Sequence, residues 1–348
     1  MYNIKEINAK ALVSNLKYVK TACDKNVMVM VKADAYGHGV KNVVRILKNK
    51  VKLWGVANSI EALQLRKLIN KDSVILIVGF SNNYRELIKN NISMTVDNIK
   101  QIKEINRAAK SLNKIAKIHI KINTGMNRNG LKSVNLFKQL LSFINKTPNL
   151  KLEGVYTHFF DADEVNNNVN KQVKTFKKYI QILSTKNILI HVGGSFAINH
   201  ALPQFVNMIR CGFFVYGYGC KSLQPVMQIK SKILKITKIK NEQYIGYGKT
   251  KIKNKRVALI PFGYADGLSR NLYKNGYVLI NNTKCKILGK ICMDVHMCDV
   301  TNCVARVGDD VVVFNNAYEW ARLTSTSPYE ILTNFCGSRT KDIINFNC

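Results

Sequence analysis

The sequence predicts an α/β fold: an N-terminal (β/α)8 barrel of the TIM type followed by a mostly antiparallel β domain. Two observations carry this reading. Over roughly the first two-thirds of the 348 residues, short β-prone runs alternate with stretches of helical spacing. Beyond about residue 225 such runs follow one another with turn signals and no long helical stretch between them. The number of β-α units and the shortness of the strands favour a closed barrel over an open sheet.

The candidate barrel strands are Val27–Val31, Trp54–Ala57, Val74–Val78, Ile118–Ile122, Leu152–Thr157, Ile188–Val192 and Met208–Cys211. Between them, Val40, Val43, Val44 and Leu47 share one helical face, as do Ile99, Ile102, Ile105 and Ala109. The later candidate strands are Ile233–Ile239, Arg256–Ile260, Tyr277–Asn282 and Val311–Phe314, with turn signals at Asn281-Asn282 and Gly308-Asp309-Asp310. The expected domains are 1–225 and 226–348, the first ten or so residues pairing with the β domain. Gly246-Tyr247-Gly248-Lys249-Thr250 ends like a phosphate-binding loop, but Gln243 stands where the first glycine is required, so a β-domain loop is expected.

A chain that is 47% hydrophobic can bury a sizeable core. It has no apolar run long enough to span a bilayer and no apolar stretch after Met1, so no membrane span, no signal peptide and a cytoplasmic location are expected. Nine cysteines, an odd number, show no C-x-x-C pair and are read as free thiols. The six histidines form no H-x-x-x-H, and no metal site is expected. The net charge of +33 invites a nucleic-acid reading. Its lysines are dispersed and interleaved with asparagine and isoleucine, as in Lys253-Asn254-Lys255, which describes a solvated basic surface instead. Neither a specific nucleic-acid partner nor a membrane partner is expected.

The first strand ends in Val31-Lys32-Ala33-Asp34-Ala35-Tyr36-Gly37-His38-Gly39. A lysine closing a barrel strand sits at the C-terminal rim, where desolvation lowers its pKa and lets it form a Schiff base. Tyr36 can donate to a phosphate, and Gly37 and Gly39 allow close backbone approach. Lys32 alone would be an ordinary solvated strand-end lysine; the nine-residue string changes that balance. It resembles the cofactor-lysine signature of the alanine racemases, and the resemblance continues in order along nearly the whole chain. It implies a pyridoxal 5′-phosphate enzyme that interconverts L- and D-alanine for peptidoglycan, with Lys32 as Schiff-base lysine and one of two proton-transfer bases, and Tyr36 on the phosphate.

Further strings carry the same resemblance. Asn123-Thr124-Gly125-Met126-Asn127-Arg128-Asn129-Gly130 resembles D-T-G-M-x-R-x-G, implying that Arg128 faces the substrate carboxylate. Asn123 replaces the usual Asp, and Lys121 stands where some members carry a carbamylated lysine. Thr157-His158-Phe159 resembles T-H-F, with His158 beside the arginine at the pyridine nitrogen. His191-Val192-Gly193-Gly194-Ser195 resembles H-x-x-N-S, with Ser195 on the phosphate and Gly194 in place of Asn. Arg210-Cys211-Gly212-Phe213-Phe214-Val215-Tyr216-Gly217 resembles R-x-G-x-x-x-Y-G. It implies that Arg210 faces the pyridine nitrogen and that the Gly212 and Phe213 N–H groups cradle the phosphate.

In the β domain, Gly263-Tyr264-Ala265-Asp266-Gly267 resembles G-Y-A-D-G, implying Tyr264 as the second base, and Met293-Asp294 resembles the M-D string near the substrate carboxylate. The resemblance implies a head-to-tail homodimer in which these residues reach the partner's barrel. At the C-terminal end, Phe335-Cys336-Gly337-Ser338-Arg339-Thr340-Lys341 keeps the arginine of R-V-P-R and little else; Ser338 stands where some members place a tyrosine. The rival readings are a racemase of serine, lysine or a broad range of amino acids, a decarboxylase of the same barrel class, a non-enzymatic carrier of the cofactor, and a polyanion binder. No cysteine-aspartate loop late in the chain supports decarboxylation, and carriers lack a second domain.

Overall fold

A computed structural model describes residues 2–164, 167–184, 187–337 and 339–346. The chain divides into two compact units. Val13–Lys32 and Val44–Leu223 form one; Met1–Leu12, Ala33–Val43 and Gln224–Cys348 form the other.

The first unit is a closed eight-stranded parallel barrel, as the alternation predicts. Its strands are β2 (Asn26–Met30), β3 (Leu53–Asn58), β4 (Val74–Phe80), β5 (Ser93–Val96), β6 (Ala116–Lys121), β7 (Leu150–Tyr156), β8 (Leu189–Gly193) and β9 (Met208–Cys211); β1 (Ile4–Asn8) lies outside it. Closure comes from β9 pairing with β2 in the register Asn26↔Met208 to Val29↔Cys211. Asparagine and serine start the outer helices: the side chains of Asn58, Asn98 and Ser133 accept from the backbone N–H groups of Glu61, Gln101 and Leu136.

The candidate strands had no counterpart for β5, whose sequence Ser93-Met94-Thr95-Val96 is short and half polar. Its hydroxyls are buried and paired instead of solvated. Thr95 Oγ1 donates to the Ile77 carbonyl at 2.7 Å, and Ser93 Oγ donates to Glu153.

The second unit holds a nine-stranded sheet in the order β11-β14-β17-β16-β15-β18-β10-β1-β19. Its strands are β1, β10 (Met227–Lys232), β11 (Lys235–Ile239), β14 (Lys255–Ile260), β15 (Tyr277–Ile280), β16 (Thr283–Leu288), β17 (His296–Asp299), β18 (Asp310–Phe314) and β19 (Lys341–Asn345); β12 (Gln243–Ile245) and β13 (Thr250–Ile252) form a separate hairpin. The loop between those two carries Gly246 to Lys249, so the phosphate-loop lookalike is a hairpin connection. Asn281 and Asn282, at φ 48° and 61°, make the tight turn from β15 to β16. The single strand expected at Ile233–Ile239 begins instead at Lys235. Ile233 N–H is taken by the Asp309 carbonyl and Leu234 N–H by the Leu259 carbonyl, so adjacent residues already serve different neighbours.

Within this unit Phe314, Trp320 and Phe335 pack ring against ring, with Phe314 and Phe335 centroids 4.8 Å apart. Two histidines, His38 and His296, are fully buried here. Burial pushes each imidazole down to about 4, and each Nδ1 faces a backbone carbonyl. The unfolded chain therefore binds protons that the folded chain refuses between the ordinary histidine value and about 4, so stability rises with pH across that window and is lost as pH falls through it. Urea midpoints should fall from pH 7 to pH 4.5, and His296→Asn, which keeps a donor in the Nδ1 position, should flatten that slope.

Candidate active site

The sites expected from sequence fall in both units, and each group is built separately. At the rim of the barrel, Lys32 follows the end of β2 and Lys121 ends β6, so both project from strand C-termini. Burial, then the charges of Arg128 and Arg210, lowers the Lys32 pKa, despite an opposing pull from Glu61. Lys121 is buried and pushed down to about 8, first by burial, then by Arg210 and Arg128. Its Nζ donates to Asn129 Oδ1. Cations outnumber carboxylates in this set, which fits a small group carrying several negative charges.

Arg210, on β9, is the buried centre of the set. It donates to His191 Nδ1 at 2.7 Å, to the Thr157 carbonyl at 2.7 Å and to His158 Nδ1 at 3.2 Å. Gly193 leaves the room, since a Cβ there would lie 2.0 Å from the guanidinium. Burial lowers the Arg210 pKa to about 10, so it stays charged at neutral pH. A guanidinium can only donate, so it fixes the tautomers around it. His191 accepts at Nδ1 and so carries its hydrogen on Nε2, which meets His119 Nδ1 at 2.8 Å. His119 then carries its hydrogen on Nε2, 3.0 Å from Glu153 Oε2. Burial and Arg210 hold His158 and His191 well below the usual range, so both are neutral. His119 and Glu153 were missed in the sequence. The available signal was period two: His119 and Lys121 share the inward face of β6.

Ser195 opens a short 3-10 helix after β8, and its Oγ accepts from Gly212 N–H at 3.1 Å and Phe214 N–H at 3.4 Å. Phe213 is buried and stacks on Tyr218. Gly194 sits at φ 104°, where an added Cβ would only touch Ala162 Cβ at 4.0 Å, so the departure from Asn falls on a backbone conformation that favours glycine. Asn123, in place of the usual Asp, acts as an acceptor: its Oδ1 takes the N–H groups of Gly125 at 3.0 Å and Asn127 at 3.1 Å, shaping the loop that leads to Arg128, which is exposed.

In the sheet unit, residues 33–36 adopt a left-handed turn, with φ between 48° and 55° at Ala33, Asp34, Ala35 and Tyr36. Each such residue costs about 1–2 kcal/mol relative to the right-handed form. The turn is held by Gly37 N–H to Ala33, Gly39 N–H to Asp34, and His38 Nδ1 facing the carbonyls of Ala35 and Tyr36. Gly37 is required, since a Cβ would lie 2.1 Å from the Leu332 carbonyl oxygen.

The Tyr264 loop lies against Met293: Tyr264 N–H donates to Cys292 O and Ala265 N–H to Met293 O. Arg339 clamps both expected strings, donating to both oxygens of buried Asp266 at 2.8 and 3.1 Å and pairing with exposed Asp294 at 2.8 Å. The retained arginine of the divergent C-terminal end is thus the one that bridges Tyr264's loop and Asp294. Ser338 lies outside the described residues. Tyr264 and Met293 are 39% and 53% exposed, leaving both available to a neighbouring molecule.

Among the described residues no group of three or more histidine, cysteine or acidic side chains is placed to hold a metal, eight cysteines are free thiols, and no helix is long and apolar enough to cross a membrane.

Two family models match the chain: alanine racemase, N-terminal domain, over residues 7–219, and alanine racemase, C-terminal domain, over residues 226–344. The alanine racemase of Clostridium novyi (strain NT) is 34% identical over 355 residues, covering 94% of this chain and 91% of its own length. The solved alanine racemase of Clostridium difficile 630 superposes with a TM-score of 0.93 at 33% identity, covering 100% of this chain and 96% of that one. The alanine racemase of Bartonella henselae, solved with covalently bound pyridoxal phosphate, shares the fold at a TM-score of 0.89 and 24% identity, covering 99% of this chain and 100% of that one.

The Asn123 turn yields a test independent of chemistry. Asn123→Asp keeps the acceptor and should leave hydrogen exchange at residues 124–128 unchanged. Asn123→Ala removes the two hydrogen bonds to backbone N–H groups, each worth about 1 kcal/mol, and should speed exchange there several-fold.

Proposed function

We propose that this chain, which belongs to the alanine racemase family and interconverts L- and D-alanine with pyridoxal 5′-phosphate, moves the substrate's Cα proton between Lys32 and Tyr264 on opposite faces. The observation that carries the reading is the barrel rim, where a largely buried lysine of lowered pKa stands among Arg128, Arg210 and Lys121.

Those residues fit the cofactor's charges. Ser195, Gly212, Phe213 and Tyr36 would hold its phosphate, Arg210 its pyridine nitrogen, and Arg128 its phenolic oxygen together with the substrate carboxylate. When bound, the cofactor would supply an electron sink that makes the substrate's Cα proton acidic enough to be moved. Arg210, still charged and donor-only, withholds a proton from the ring nitrogen and so limits the charge that develops there, which favours racemisation over side reactions. His158, neutral and accepting from Arg210, steadies its orientation. Lys32 reaches neutral pH with less cost to its uncharged form, as a base requires. Lys32 would serve the D-isomer and Tyr264 the L-isomer. Lys121, pushed down to about 8 and so about half uncharged at pH 8, with Arg210 and Arg128 among its neighbours, is suited to carbamylation, which would place a negative charge beside Arg128.

Tyr264, Met293 and Asp294 would act on the barrel rim of a second copy in a head-to-tail homodimer, with Met293 N–H and Asp294 near the substrate carboxylate. The product would supply peptidoglycan synthesis in the cytoplasm. The exposure of Tyr264 and Met293 supports their reaching a second copy.

Borohydride reduction should fix the cofactor on the Lys32 peptide, read by mass spectrometry; labelling of another lysine removes the assignment. Tyr264→Phe should lower racemisation of L-alanine by about two to four orders of magnitude while the cofactor stays bound. Mixing Lys32→Ala with Tyr264→Phe subunits should restore about a quarter of the wild-type rate if the two bases come from different copies, since half the dimers are mixed and each carries one intact site. Silence in the mixture would place both bases on one chain.

A further inference from the structure

Lys5 is a buried lysine in a chain whose basic residues are otherwise mostly solvated. It lies on the inward face of β1 beside Ile7 and is 3% exposed. Its Nζ donates to the Gly37 carbonyl at 3.0 Å and to the Phe335 carbonyl at 3.4 Å, and lies 3.7 Å from Asp342 Oδ1. The carbonyls of the left-handed segment can be followed one by one. Ala33 O accepts from Gly37 N–H and from Cys336 Sγ, Asp34 O from Gly39 N–H, and Ala35 O from His38 N–H. Tyr36 O meets the His38 imidazole, and His38 O accepts from Asn42 Nδ2. The buried Gly37 carbonyl is served by Lys5. An aliphatic side chain would fill the same space without burying an ammonium, so the position is explained by what the ammonium holds.

We propose that Lys5 is a positioning residue of the cofactor site. By fixing the Gly37 carbonyl, it keeps the strained turn closed and holds Tyr36 where its phenol can donate to the phosphate. Asp342, itself bonded to Asn42 at 2.8 Å, supplies the counter-charge. The inference rests on the reading of Tyr36 as a phosphate ligand.

The test is a double-mutant cycle on the full-length chain, read as the dissociation constant for pyridoxal phosphate after removal of bound cofactor. Lys5→Met and Tyr36→Phe should each weaken binding by about tenfold, and the double variant should be little worse than the weaker single. A Lys5 needed only for folding would leave part of the protein irreversibly misfolded, lowering the binding stoichiometry without changing the dissociation constant of the folded part. Binding within about twofold of wild type in Lys5→Met, or a double variant multiplying to about a hundredfold, overturns the proposal. Hydrogen exchange at residues 33–39 decides the case in which Tyr36→Phe alone has no effect and the phosphate reading fails. Faster exchange in Lys5→Met then upholds Lys5 as the clasp of the turn, and unchanged exchange removes it. Should Lys5→Met not fold, Lys5→Gln, a shorter and uncharged donor, is read in the same cycle with the same criteria.

Discussion

Arg210 is buried with three hydrogen bonds and, among the described residues, no carboxylate partner. That arrangement sets the protonation of its surroundings. A donor that keeps its proton forces every neighbour into the accepting role, so His191 and His158 must both be neutral and must both present Nδ1 as a lone pair. The far end of the row is then obliged to finish on an acceptor, and Glu153 finishes it: against the pull of burial, the His119 hydrogen bond above all holds its carboxyl down to about 2. One permanent charge thus orders three side chains on three barrel strands, His191, His119 and Glu153, and His158 just after β7. Gly193 and Gly154 are the spaces that let them meet, since a Cβ at either would collide with the row.

The sheet unit uses the same logic with the sign reversed. There two carboxylates converge on one cation, Arg339, which sits between the Tyr264 loop and Asp294. Asp266 is the buried member and also accepts from Gly263 N–H at 2.9 Å, closing the loop on itself. Tyr264 is consequently carried on a backbone fixed at both ends, while its ring remains in reach of Arg270, 5.5 Å from the centroid. Rigid backbone beneath an exposed phenol is the arrangement expected of a group lent to another molecule.

How much of this was legible follows from how each feature is encoded. Seven barrel strands announce themselves as apolar runs, because parallel strands covered by helices are buried on both faces. β5 does not, because Ser93 and Thr95 are satisfied by partners distant in sequence that no local pattern reveals. The strings around Lys32, Arg128, Arg210 and Tyr264 were readable because close backbone approach and positive φ leave few alternatives, as at Gly37 and Gly193. Departures such as Asn123 and Gly194 looked like losses in the string and are accommodated by backbone geometry. Lys5, His119 and Glu153 were invisible for the opposite reason: an ionisable residue in a basic chain reads as surface, and only the strand's alternation argues otherwise.

The position of β1 has a consequence for biosynthesis. Its two neighbours in the sheet, β10 and β19, are Met227–Lys232 and Lys341–Asn345, so β1 is synthesised before all the barrel strands and its sheet partners after them. Until then an Ile-Lys-Glu-Ile-Asn segment travels as an open edge while the barrel strands can assemble behind it. Its neighbouring charges discourage pairing with nascent neighbours during that delay, and the late arrival of β19 makes a segment synthesised after the whole barrel the one that completes the sheet.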